Sequence, residues 1–160
     1  MIGDKATNTI KIYTDGSCHT QQKCGAWAAI ILIDNEEVVI KNTAVNTTHN
    51  RMELQAIINA VIYLKNADIN FDKIDVYTDS QYAVNLLARN QRLLNNNYLT
   101  KKGTSIQNAD LVQELIKLYE TTQLTLIKVA AHQQANAQVN YNRKVDLIVR
   151  ALMRETIQQD

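Results

Sequence analysis

Three acidic residues border predicted secondary-structure elements in a way that could build a metal site. Asp15 ends the first predicted strand, in Tyr-Thr-Asp-Gly-Ser, and Asp79 ends the fourth, in Tyr-Thr-Asp-Ser-Gln. Glu53 lies in the first turn of a predicted helix, in Arg-Met-Glu-Leu. Carboxylates gathered in one pocket repel one another, and a divalent cation removes that repulsion. Oxygen-only ligands favour Mg²⁺ or Mn²⁺ over zinc, and two such ions can support phosphodiester cleavage.

Each of these acids also has an ordinary structural interpretation. An aspartate at the end of a strand is commonly a turn former or a helix N-cap. A glutamate in the first turn of a helix interacts favourably with the helix dipole. Any one acid alone is therefore weak support for a metal site, and the hypothesis depends on the sequence around all three.

The hydrophobic pattern predicts the elements that must position these acids. Alternating and dense apolar runs predict strands, and Asp34-Asn35 predicts a hairpin turn between two of them. Asn50 is the predicted N-cap of the first long helix. The predicted strands are 9–15, 25–34, 36–46, 73–78 and 124–130. Helices are predicted from residue 50 onward, from about 80 to 87 or beyond, around 111–118 and over 143–157, with a polar loop over 133–141. The order β-β-β-α-β-α-α-β-α indicates an α/β fold, a mixed sheet with helices packed on it. If the first and fourth strands are neighbours, Asp15 and Asp79 lie close together.

Composition indicates one ordinary globular domain over residues 1–160. Of these residues, 46% are hydrophobic and 21% charged, and residues 1–8 form a polar segment that we expect to be flexible. We expect a cytoplasmic protein, because no secretory signal or membrane-spanning run is present. We also expect a monomer. Cys18 and Cys24 are interpreted as reduced thiols, and a zinc site formed by them and His19 is the weaker alternative.

The motifs around the acids resemble those of type 1 ribonuclease H. The three leading motifs match Tyr13–Cys18, Thr47–Leu54 and Tyr77–Tyr82, in order and at suitable intervals. The resemblance continues at Ala131-His132 and at Asn142–Asp146, so it covers nearly the whole chain from about residue 10 to 154. It implies the ribonuclease H-like fold, with three antiparallel strands, then alternating helices and strands, and helices on both faces of a five-stranded sheet.

The resemblance implies a two-metal endonuclease that hydrolyses the RNA strand of an RNA–DNA hybrid and leaves a 5′-phosphate and a 3′-hydroxyl. Asp15 would bridge two Mg²⁺ ions, with Mn²⁺ as a possible substitute. Glu53 and Asp79 would hold one ion, and Asp146, entering the last helix, would hold the ion that activates water. His132 matches the loop histidine that assists proton transfer or product release.

The resemblance also implies contacts with the sugar–phosphate backbone and the minor groove of the hybrid, with little sequence preference. Thr48 matches a contact to a DNA phosphate, and Asn50 and Gln81 match groups that read the minor groove. The full set of predicted substrate-binding residues is Gly16, Ser17, Cys18, Thr48, His49, Asn50, Arg51 and Gln81.

Some positions depart from the family pattern. Arg143 stands where a glutamate often follows the asparagine, Ala131 replaces a glycine before His132, and His49 replaces a second asparagine. Residues 89–102 carry four positive charges and no acid, where many members have a basic protrusion; a solvated surface is the alternative. Other functions left open are an inactive hybrid-binding module, a detached reverse-transcriptase ribonuclease H domain, and a transposase or integrase of the wider superfamily.

Overall fold

The structure, a computed structural model, describes residues 8–129 and 137–158, with the side chains of 137–139 and 158 excepted. This part of the chain contains five strands and five helices. The strands are β1 (Thr9–His19), β2 (Cys24–Ile33), β3 (Glu36–Val45), β4 (Lys73–Thr78) and β5 (Leu124–Lys128). The helices are α1 (His49–Asn66), α2 (Gln81–Ala88), α3 (Asn90–Asn95), α4 (Ala109–Thr121) and α5 (Ala137–Gln158).

The strands form one mixed sheet in the order β3-β2-β1-β4-β5. The first three strands pair antiparallel, whereas β4 pairs parallel with β1 and β5 pairs parallel with β4. The predicted meander followed by alternating helices and strands is thus confirmed, and β1 and β4 are neighbours as the site hypothesis requires.

Helices cover both faces of the sheet. Successive strand residues point to opposite faces, so neighbours in β1 enter different cores. Ile12 belongs to the core that α1 and α4 complete, with residues such as Ile57 and Leu115. Tyr13 belongs to the core on the other face, to which α5 contributes Val145 and Val149. No helix in the described residues is long and apolar enough to cross a membrane.

The first strand is longer than predicted. It was expected to end at Asp15, but β1 continues to His19 because residues 16–19 pair with residues 24–27 of β2. Asp15 therefore lies inside a strand and is held by backbone pairing on its β2 side. The predicted N-cap of α1 is also wrong: Thr48, not Asn50, caps the helix, and its Oγ1 accepts the Arg51 N–H at 3.2 Å.

The last helix begins earlier than predicted. It starts at Ala137 instead of residue 143, so the second half of the predicted polar loop is helical. Asp146 consequently lies in the third turn of α5 and not at its entrance. The sequence from 137 onward contains no proline or glycine that would stop a helix. The first half of the predicted loop, 133–136, lies outside the described residues.

Two other boundaries differ by smaller amounts. The helix predicted from about residue 80 ends at Ala88, and a separate short helix, α3, follows after Arg89. Strand β5 ends at Lys128 instead of residue 130, although the Val129 N–H still donates to the Thr78 carbonyl. Of the N-terminal segment 1–8, only Asn8 is described, and its N–H donates to Asp72 at 2.7 Å.

Candidate active site

Three of the predicted metal ligands meet beside the junction of β1 and β4. Tyr13 pairs with Tyr77 in the parallel register, so Asp15 and Asp79 each follow the paired tyrosine by two residues. Glu53 comes from the second turn of α1. One carboxylate oxygen from each of Asp15, Glu53 and Asp79 lies within 4.8 Å of the other two. The three acids therefore form a single cluster of oxygen ligands.

Gly16 allows α1 to approach the sheet closely enough to place Glu53 in this cluster. A Cβ atom at residue 16 would lie 2.5 Å from the backbone carbon of Met52 and 2.6 Å from the backbone nitrogen of Glu53. Real Cβ atoms do not come this near to backbone atoms, so any other residue would push the helix away. The predicted contact of Gly16 with the substrate stays a prediction. Its structural role is to let the backbone of α1 lie against β1.

Glu53 has one carboxylate oxygen that is engaged and one that is not. Its side chain is 1% exposed, and Oε1 lies 3.3 Å from Nε2 of His49, one helical turn earlier. The other oxygen, Oε2, is buried and has no hydrogen-bond partner among the described residues. A buried carboxylate oxygen without a partner is costly, and a bound cation would satisfy it. The donor set thus fits a hard divalent metal ion.

The electrostatics of the cluster favour the same interpretation. Burial, reinforced by the charges of Glu53, Asp79 and Asp146, raises the pKa of Asp15 to about 9. Burial also raises the pKa of Glu53 to about 7, an increase that the hydrogen bond from His49 reduces. The ionised forms of both groups are thus disfavoured in the absence of a cation, and positive charge at the cluster would stabilise them.

Asp146 lies near the cluster but is not one of its three members. Its Oδ2 forms an ion pair with Nε of Arg150, 3.0 Å away and one turn further along α5, and its side chain is 41% exposed. Its charge still contributes to the raised pKa of Asp15. The structure therefore brings the fourth predicted ligand close to the site and pairs it with an arginine.

A stack of three tyrosines holds α5 against the sheet. The ring of Tyr13 stacks on those of Tyr77 and Tyr141, with centroid distances of 4.8 and 5.0 Å. The hydroxyl of Tyr141 donates to Glu37 at 3.0 Å, and Lys144 also pairs with Glu37. Sequence reasoning missed this support, although Tyr13 and Tyr77 stand in the two motifs that carry the aspartates of the cluster.

Several predicted substrate-binding residues are already engaged within the protein. Arg51 forms a bidentate ion pair with Asp110 of α4, at 3.0 and 2.8 Å. The thiol of Cys18 donates to the Thr47 carbonyl at 3.3 Å. Gln81 donates to Asn85 at 2.9 Å. A substrate would have to share or replace these contacts to engage the same side chains.

The other predicted residues differ in how far they are open to solvent. Ser17 and Asn50 are half-buried. The side chain of His49 is 62% exposed, even though its Nε2 contacts Glu53. His132 lies outside the described residues. Among the residues that the structure describes, the only candidate metal-ligand group is the carboxylate cluster, so the alternative zinc site at Cys18, His19 and Cys24 is not formed there.

A cavity of about 430 Å³ adjoins the cluster at His49. It lies between the end of β1 and the start of α1, and it contains several of the predicted substrate-binding residues. Its lining residues are Cys18, Thr20, Lys23, Asn46, Thr47, Thr48 and His49. A lysine and several hydroxyl and amide groups are suited to contact an anionic backbone.

Comparison with known proteins agrees with the fold and identifies the family. A model of the RNase H family matches residues 7–154. The chain is 32% identical over 155 residues to a ribonuclease H of Thermoanaerobacter sp. strain X514, covering 96% of this chain and 95% of that one. It is 35% identical over 148 residues to a ribonuclease H of Caldicellulosiruptor saccharolyticus, covering 91% and 97% of the two chains.

Solved structures share the fold at lower sequence identity. LC9-RNase H1, a type 1 RNase H with the type 2 active-site motif, superposes with a TM-score of 0.73 at 21% identity, over 93% of this chain and 74% of that one. The foamy viral protease-reverse transcriptase, solved in complex with dsDNA, gives a TM-score of 0.72 at 12% identity, over 89% and 92%. Since the family model matches residues 7–154 and the curated relatives align along nearly their whole length, the chain belongs to the ribonuclease H family.

Proposed function

We propose that this protein is a magnesium-dependent endonuclease that hydrolyses the RNA strand of RNA–DNA hybrids by a two-metal mechanism. The products would carry 5′-phosphate and 3′-hydroxyl ends. The observation that carries the proposal is the cluster of Asp15, Glu53 and Asp79, in which Glu53 Oε2 is buried without a partner among the described residues. Mn²⁺ has the same preference for oxygen ligands and is a possible substitute.

Each acid has a separate task in this proposal. Asp15 would contact both ions, while Glu53 and Asp79 would hold one of them and Asp146 the other. His49 would keep the Glu53 carboxylate oriented so that Oε2 faces the cluster. When bound, the metal ions would supply an activated water and charge stabilisation for the leaving oxygen. His132 would assist proton transfer or product release.

The hybrid would lie across the cluster and the adjoining cavity. Thr48, whose hydroxyl caps α1, lines the cavity with Lys23, and the two side chains would contact a phosphate there. Asn50 and Gln81 would contact the minor groove, where the 2′-hydroxyls of RNA distinguish a hybrid from DNA. These contacts involve sugar and phosphate, so we propose little sequence preference. A monomeric state and a cytoplasmic location stay predictions.

A cleavage assay tests the proposal directly. The protein would be incubated with labelled RNA–DNA hybrid, double-stranded RNA and double-stranded DNA, each with Mg²⁺ and with a chelator. We expect cleavage of the hybrid alone, only with Mg²⁺, and loss of cleavage in Asp15→Asn. Absence of Mg²⁺-dependent hybrid cleavage would refute the proposal, and full activity of Asp15→Asn would show that the metal site is misplaced.

The pairing of Asp146 with Arg150 favours one second candidate, a hybrid-binding module with weak catalysis. If Arg150 kept Asp146 from binding a metal ion, substrate binding would stay intact while the chemical step slowed. Single-turnover measurements with saturating enzyme separate the candidates, because the weak module would bind hybrid tightly and still cleave it slowly at high Mg²⁺.

A further inference from the structure

The contact between Asp146 and Arg150 has a consequence for metal binding. Both residues lie on α5, one turn apart, and Nε of Arg150 is 3.0 Å from Oδ2 of Asp146. The side chain of Arg150 is 67% exposed and that of Asp146 is 41% exposed, so the pair is accessible to solvent and to ions. Asp146 is also close enough to Asp15 for its charge to raise the pKa of Asp15. Arg150 thus places a positive charge beside the fourth acid of the site.

The strength of this pair suits a reversible contact. Exposed ion pairs between residues four apart on a helix contribute little to stability, because water screens the charges and the long side chains lose freedom. A divalent cation carries twice the charge of a guanidinium and would compete effectively for the same carboxylate. The pair is therefore weak enough to exchange yet strong enough to affect the affinity of the carboxylate for an ion.

We propose that Arg150 competes with the metal for Asp146 and thereby weakens the binding of the second ion. This inference rests on the proposed function, which assigns Asp146 to the metal site. Arg150 acts through Asp146 and is a positioning residue. In the metal-free protein it compensates the charge of Asp146, and it must release the carboxylate before the second ion is bound. The first ion, held by the buried cluster, would be little affected.

Metal titration of the full chain without substrate provides the test. Mg²⁺ binding is measured by calorimetry, and Mn²⁺ binding by the loss of the free-ion signal in electron paramagnetic resonance. Arg150→Gln should tighten the weaker binding step by about two- to fivefold, as expected for removal of one exposed ion pair. Arg150→Lys should fall between Arg150→Gln and the parent protein. Arg154→Gln, which removes a similar charge from the exposed part of α5, is the matched control.

Asp146→Asn separates failure of this inference from failure of the proposed function. If Asp146→Asn leaves the weaker step unchanged, the assignment of Asp146 to the metal site is wrong. If Asp146→Asn weakens that step but Arg150→Gln matches Arg154→Gln, competition by Arg150 is overturned. Weaker binding in Arg150→Gln would also overturn it, because Arg150 would then orient Asp146 for the ion. Adding Arg150→Gln to Asp146→Asn should have no further effect.

Discussion

At the residue scale, the cluster gathers acidic groups whose ionised forms the fold itself does not stabilise. Asp15 is buried and has a pKa raised to about 9, and Glu53 has one raised to about 7. The folded, metal-free protein therefore holds protons that the unfolded chain has already released at neutral pH. Since the folded-state pKa values exceed the unfolded ones, stability is lost as pH rises between about 4 and 9.

Asp15→Asn should remove most of this loss. In the presence of a chelator at pH 9, we expect the free energy of unfolding to rise by about 1 to 3 kcal/mol over the parent, because a buried charge is deleted. The gain should shrink towards pH 4, where Asp15 is largely protonated in the folded state and the unfolded chain is taking up the same proton. The gain in the free energy of unfolding is measured by urea unfolding followed by circular dichroism. Asp68→Asn, at an exposed position, is the control. A gain that is equal at both pH values would contradict the electrostatic explanation.

At the element scale, the site depends on how closely α1 meets β1. Gly16 lies against the backbone of Met52 and Glu53, and Gly25 of β2 lies against the side chain of Met52. Two neighbouring strands thus leave room for the same turn of the helix. The sequence motif places a glycine directly after Asp15, and the structure shows that its missing side chain sets the position of Glu53.

Gly16→Ala should therefore damage both stability and metal binding. We expect a loss of about 2 to 4 kcal/mol in the free energy of unfolding, because the added methyl group meets backbone atoms that cannot rotate away. Divalent-metal affinity, measured by calorimetry at a temperature where the variant is folded, should also fall. Ser17→Ala, at the next position of β1, should keep parental stability. Parental metal affinity in folded Gly16→Ala would show that this approach does not position Glu53.

At the scale of the whole molecule, a basic surface is anchored to the fold by apolar contacts. Its exposed residues are Arg89, Arg92, Lys101 and Lys102. Leu93 of the same segment is buried, and Tyr98 and Ile106 pack against the main core. Leu99 pairs with Ser105 in an isolated bridge. The segment that carries these positive charges is thus fixed to the core by its apolar residues, which suits contact with a phosphate backbone.

Neutralising these four residues together should weaken binding of the RNA–DNA hybrid. We expect at least a roughly tenfold loss of affinity at low salt and a shallower salt dependence, by roughly one unit of slope for each phosphate contact removed. Binding is measured by fluorescence anisotropy with Ca²⁺ replacing Mg²⁺. Lys65→Gln/Lys117→Gln, in the groove between α1 and α4, controls for loss of charge elsewhere. Parental affinity and salt slope in the fourfold variant would exclude this role.

Much of the molecule could be predicted from local sequence, and the remainder depends on tertiary contacts. Apolar periodicity predicted the element order except for the short helix α3, and the motifs predicted Asp15, Glu53 and Asp79, because each motif lies within one element and its flanking turn. The end of β1 could not be located this way, since residues 16–19 are strand only through pairing with β2. Asp146 and Arg150 both lie in the predicted helix 143–157 at i,i+4 spacing, so this ion pair was available from the sequence, although spacing alone does not show which charged neighbour Asp146 contacts.

The parallel pairing of β1 with β4 also bears on when the site can form during synthesis. Asp15 and Glu53 belong to segments that leave the ribosome early, and Asp79 follows after the long α1 has been made. Long-range parallel pairing is slow to form, since a large loop must close first. A nascent chain that ends before β4 lacks the third acid, so high-affinity metal capture would mark the moment at which the central strands have joined.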